Sequence, residues 1–320
     1  MKGWARSAAA AAAALAAISA AGGASAAPTL IIRHAAMNLV IETEDRGDIA
    51  VEVYKPNARL PLDVHTAGSD VIIDGHLISF LTSCHGSGAG LRVLVFGRGD
   101  YGVQQLPQVL VRTPRDVVVD SGGVVHAAIT RSRSVTLNAS GCGDWTVANV
   151  ADRLDARVSG IGELRSGSSN SASVSLSGAG HMQVGEVATK LSASLSGAGG
   201  LTARGAGSAD LAVSGSGGMT VGPIAGALTA HLSGAGDLRV ASVSGPVSAD
   251  VSGVGNVDIQ GGHASSLDAE VSGTGHIDFH GVADSLDANV SGVGSVDVDR
   301  VTGPVVQHVS GIGSIHVGAR

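Results

Sequence analysis

With 48 glycines among 320 residues and aromatics at only 2%, the chain has little with which to fill a thick globular core. Small and β-branched residues suit a thin stacked sheet better. The formal charge is −7 at pH 7, and no Lys/Arg cluster is interleaved with aromatics, which argues against nucleic acid as a partner.

Residues 1–26 have the pattern of an export leader. Lys2 and Arg6 give a positive start, an alanine-rich apolar stretch runs from Ala8 to about Ala21, and Ala24-Ser25-Ala26 supplies small residues for cleavage after Ala26. No later apolar run reaches the roughly 18 residues of a membrane helix, and no cysteine near the cleavage site offers a lipid anchor. The expectation is a periplasmic or secreted chain, soluble once exported, with 18 basic against 27 acidic residues after Lys2 and Arg6 are removed.

Residues 27–115 alternate apolar runs with turn residues. Short strands are expected at Leu30–Ile32, Asn38–Glu42, Ile49–Tyr54, Leu62–His65, Val71–Ile73, Leu91–Phe96 and Val109–Arg112, with a glycine-rich loop at Ser83–Gly90. No stretch has a capped helical period. This β-rich region is expected to cap the free end of the repeats in residues 116–320, either as a separate unit or coiled as they are.

From residue 116 to residue 320 the chain repeats. The phrase Ser-Gly-x-Gly opens at Ser140, Ser159, Ser177, Ser196, Ser214, Ser233, Ser252, Ser272, Ser291 and Ser310, with gaps of 18, 19 or 20 residues. A weaker copy begins at Ser121. Before each serine, apolar residues alternate with polar ones, as in Leu286-Asp287-Ala288-Asn289-Val290. After the glycines a second alternation follows, as in Val257-Asp258-Ile259. Strict alternation means strands with one buried and one wet face. A fixed short period means coils that bury their apolar face only by stacking. The fold expected is all-β: a right-handed parallel β-helix, a solenoid of about 19-residue coils with a β-rich N-terminal cap. Ten or eleven coils stacked at about 4.8 Å make a rod on the order of 50 Å long. The paired glycines imply positive φ or a close backbone approach, and the direction of x stays open.

These repeats, with segments such as Gly141-Cys142-Gly143-Asp144-Trp145 and Val301-Thr302-Gly303-Pro304-Val305, resemble the secreted bacterial family of auto-transporter adhesin head GIN domains. The resemblance covers most of the exported chain. It implies a right-handed β-helix without an assigned biochemical role. An autotransporter carries a C-terminal membrane barrel, whereas this sequence runs in repeat to Val317-Gly318-Ala319-Arg320.

Few residues suggest chemistry. Asp258, Asp278 and Asp297 recur once per coil on the outward side, where stacked carboxylates either stay solvated or bridge a cation such as calcium. Their place, three residues after the second glycine, differs from that of the calcium nonapeptide repeat, so solvated side chains are expected and no metal is assigned. Cys84 and Cys142 are expected to form a disulfide in an oxidising compartment, the other reading being two separately buried thiols. Asp63, His65, Asp70, Asp74, His76, Cys84 and His85 concentrate ligand-type residues at a spacing that matches no zinc pattern. Glycoside hydrolysis needs a positioned carboxylate pair, and the repeats offer only Trp145 and Phe279 as sugar platforms. Gln307 and Val306 break the pattern of the last coil, which is expected to be a cap or a contact surface, and His308 and His316 there are expected to be exposed. The function expected is a non-catalytic exported scaffold or adhesion protein of the cell envelope, needing no cofactor. Its partner would be an unidentified envelope or extracellular protein or polysaccharide. The alternatives are a carbohydrate-active β-helix enzyme and a calcium-dependent adhesion module.

Overall fold

The computed structural model describes residues 27–77, 81–86 and 88–318, so the leader segment lies outside the described residues. Successive coils pair in parallel along three ladders. On the first, Arg153–Val158 bonds to Ser171–Leu176, and the stack continues through Leu228–Leu232 and Val247–Val251 to Val305–Val309. On the second, Cys142–Val147 bonds to Ile161–Ser166, and the stack ends on Ser314–Val317. A shorter third ladder joins residues such as Pro223 to Ser242 and Ile224 to Val243. The serines align: Val251 faces Val271 across the stack, placing Ser252 directly beneath Ser272. The 19-residue period is thus one winding of the chain.

The inward columns are buried along the stack as far as Val298. Their sizes alternate in the upper coils. Leu154 and Ala156 are followed one coil on by Ala172 and Val174, then Leu191 and Ala193, then Ala209 and Leu211. A large residue therefore sits over a small one, which lets a narrow interior interdigitate without voids. From Leu228 to Leu286 the order settles to Leu or Val beside Ala in each coil.

The N-terminal region is not stacked in chain order. Thr29–Glu44 is one continuous strand that turns a corner and forms a whole coil, pairing in parallel with Asp116–Ile129 on one side. On its other side lie Asp70–Asp74 and Gln108–Pro114, also parallel. The first strand is therefore held between segments that come later in the sequence. Local patterning suggests two strands there, because the corner residues Arg33–Ala36 interrupt the alternation. Beyond this coil the rod is covered by Ala50–Lys55 and Asp63–Ala67, which run antiparallel to the strands they cover.

Between Asp74 and Gln108 the described residues leave the rod as an insertion. A three-stranded antiparallel sheet of Leu81–His85, Arg92–Val95 and Gly99–Gly102 forms there. The first of these strands runs into the loop expected at Ser83–Gly90, and the last lies where no strand is expected, because glycine and polar residues mask a short alternation. The sheet has its own small core of Leu77, Leu91, Val93, Val95, Tyr101 and Leu106, which rests on Ala36 and Val124 at a corner of the rod.

Candidate functional site

The corner Ser-Gly-x-Gly is where the surface of the rod acquires character. Each first glycine lies against the backbone of the glycine one coil earlier. A Cβ on Gly234 would collide with the Gly215 carbonyl oxygen, and one on Gly253 with that of Gly234. Close approach therefore dictates glycine at this position, and no positive φ is needed. The turn throws x outward. Ile161 is 60% exposed, Val254 61%, Val293 52% and Ile312 81%, with Ala179, Ala198, Ser216, Ala235 and Thr274 in the coils between. The result is an uncharged, largely apolar column down one corner. Its upper end is covered by the insertion, and there the x residue is Cys142. The structure pairs Cys142 with Cys84, Cα atoms 6.5 Å apart, which ties the insertion to the corner.

The acidic residues Asp258, Asp278 and Asp297 lie in direct register on neighbouring coils. Arg239 precedes them and His316 follows them in the same column. The Arg239 guanidinium lies 4.0 Å from Asp258, and Asp297 accepts a hydrogen bond of 2.8 Å from Ser295. Burial, and next the negative charge of Asp297, push the Asp278 carboxyl above the usual aspartate range, against the opposing pull of His276 and His280. Among the described residues no group of three His, Cys, Asp or Glu is placed to hold one ion.

The N-terminal polar residues separate into several partnerships. His76 lies 3.6 Å from Asp74 and 3.9 Å from Asp63, and Asp63 lies 3.8 Å from His65. His34, which sequence reasoning passed over, joins them 3.7 Å from Asp74. Both His34 and His76 hold left-handed backbone, with φ of 47° and 52°. The chain turns there, and Gly75 packs tightly under the His34 carbonyl. Asp70 instead accepts the Thr29 N–H at 2.9 Å. Cys84 lies in the insertion against Cys142, in the same strand as His85, so the seven residues do not form one site.

An open groove of about 1110 Å³ lies on the short third side, near the covered end. Arg131, Arg133, Asn149, Asn170 and Glu186 line it. Arg133 is paired with Asp116, whereas the Arg131 guanidinium has no carboxylate partner among the described residues. The buried Ser132 and Ser169 hydroxyls on this side lack hydrogen-bond partners among the described residues. No sequence motif marked this groove, because its residues come from separate coils far apart in the sequence. Trp145 and Phe279, the two aromatics of the repeats, are both buried in the interior. Neither can serve as a platform for a sugar ring.

Residues 204–301 match the family described as "Putative auto-transporter adhesin, head GIN domain". No curated protein matches the chain. Among solved structures, a putative cell adhesion protein from Clostridium sporogenes aligns at 12% identity, covering 73% of this chain and 92% of that one, with a TM-score of 0.21.

Proposed function

We propose, from the likeness of residues 204–301 to head GIN domains of auto-transporter adhesins, that this chain is a non-catalytic adhesion or scaffold rod exported to the bacterial envelope. That likeness carries the reading, and the surface supports it. A regular stack presents an uncharged corner coil after coil, and the exposed Ile161, Val254, Val293 and Ile312 along it offer apolar contacts to a partner. The partner is an envelope or extracellular protein or polysaccharide. The immobilised chain should retain a partner from envelope extract, and the substitutions Val254→Asp and Val293→Asp should reduce that retention. Repeated failure to retain anything would remove the basis for an adhesion role.

Two other readings have their own tests. New reducing ends or unsaturated sugars after incubation with acidic polysaccharides would make the chain a carbohydrate-active enzyme. A rise in melting temperature with millimolar calcium, absent with sodium at the same ionic strength, would make the Asp258, Asp278 and Asp297 ladder a cation site.

A further inference from the structure

Among the described residues, the inward columns of the rod are sealed by neighbouring coils except in the last coil, where Ile315 and Val317 are half-buried and Val305–Val309 is open. Val305–Val309 pairs with Leu286–Val290, whose Leu286, Ala288 and Val290 are buried, yet all five of its own residues are exposed. Hydrogen bonds fix the orientation of this strand at both ends. Leu286 N–H donates to the Pro304 carbonyl at 3.0 Å, and Ser310 N–H to the Val290 carbonyl at 2.9 Å. Alternation along the strand then turns the N–H and C=O groups of Val305, Gln307 and Val309 away from the rod. At the other end the same kind of edge is covered by antiparallel strands, Ala50–Lys55 and Asp63–Ala67.

The residues on this open edge differ from those of the coils behind it. Val306 stands in register with Asp287, His308 with Asn289, and Gln307 with the inward Ala288. Exposed edge strands are ordinarily guarded by charge or proline, and Val305–Val309 has neither a Lys, Arg, Asp or Glu nor a proline. We propose that a second copy of this chain pairs antiparallel with Val305–Val309 across a two-fold axis centred on Gln307. The interface is self-complementary, as a two-fold requires. Val305 meets Val309 of the second copy, Val306 meets His308, and Gln307 meets itself. Val305, Gln307 and Val309 each exchange both backbone hydrogen bonds across the axis. The two valines close the apolar columns. The paired Gln307 amides donate and accept between each other, which satisfies groups that an apolar interior would otherwise leave orphaned. Charge separates this strand from Leu267–Val271 in particular. The same operation on Leu267–Val271 would set Asp268 against Glu270, a like-charge pair directly opposed.

The inference goes beyond the adhesion reading and is tested without any partner. Sedimentation equilibrium of the purified chain should show a reversible monomer–dimer equilibrium at micromolar concentrations. The double substitution Val306→Asp/His308→Asp should weaken it by at least about tenfold, equivalent to about 1.4 kcal/mol, and leave the monomer's circular dichroism unchanged. Gln307→Pro offers a second check. Its N–H is not used within the chain, so the coil should still form while the centre of the interface is lost. A wild-type chain that stays monomeric throughout, or a dimer that survives both variants, would overturn the proposal.

Discussion

At the scale of single residues, this protein is governed by how near one coil's backbone comes to the next. The first corner glycine has no room for a side chain because a carbonyl oxygen of the neighbouring coil occupies that space. Gly253→Ala should therefore cost about 1–3 kcal/mol in chemical denaturation, as overpacked sites do. At Gly261 a new Cβ would meet nothing nearer than the His280 oxygen at 3.5 Å, so Gly261→Ala should be close to neutral. The charged column makes a different prediction. The Asp278 carboxyl is raised above 3.8 in the folded chain, so folding takes up protons as the pH falls through its folded value. Above that value the buried charge destabilises the rod, and this cost is relieved toward acid pH. Asp278→Asn should accordingly raise the melting temperature at pH 7 and make no difference once the pH falls below about 3.8, where the unfolded chain also protonates. An equal effect at both pH values would mean that packing, and not charge, separates the two side chains.

At the scale of elements, the insertion and the corner column are best understood together. The column is uncharged from Ile161 to Ile312, and the insertion covers its continuation over Ala36, Val124 and Cys142. The sheet within the insertion has only a small core of its own. Small cores of this kind depend on cross-links. Replacing Cys142 by Ser should thus destabilise the protein by about 2–4 kcal/mol. The first proteolytic cuts should fall within residues 75–107, while the stacked coils stay intact. If the rod were cut at the same rate as the insertion, the bond between Cys84 and Cys142 would not be holding a separable element.

At the scale of the whole molecule, stability is a sum of coils and of the contacts between neighbouring coils. Removing residues 235–253, one full 19-residue period, joins Gly234 to Val254 and restores Ser-Gly-x-Gly at the junction. That deletion should fold and show a modestly lower melting temperature in circular dichroism. Removing half a period should lower it much further, because the coil at the junction could not stack in register on its neighbours.

How much of this was legible beforehand varies along the chain. Period, parallel stacking and the inward columns could be taken from Leu286, Ala288 and Val290 and their equivalents, because a repeat carries both its local strand pattern and its neighbour's. Asp258, Asp278 and Asp297 could be placed on one line for the same reason. The outward turn of x could not, since Ile161 and Val254 are apolar and suit either side. His34 joined Asp74 and His76, and the arginine groove formed, from residues brought together by turns in different coils, with no spacing to announce them. Nor could the threading of Thr29–Glu44 between Asp70–Asp74 and Asp116–Ile129 be foreseen. Alone, the amino-acid sequence determined the coil, because alternation and period act on neighbouring residues. Only the tertiary structure decided the order of the upper strands and what the corner exposes, because backbone pairing is indifferent to sequence distance and the choice among partners rests on packing across the stack.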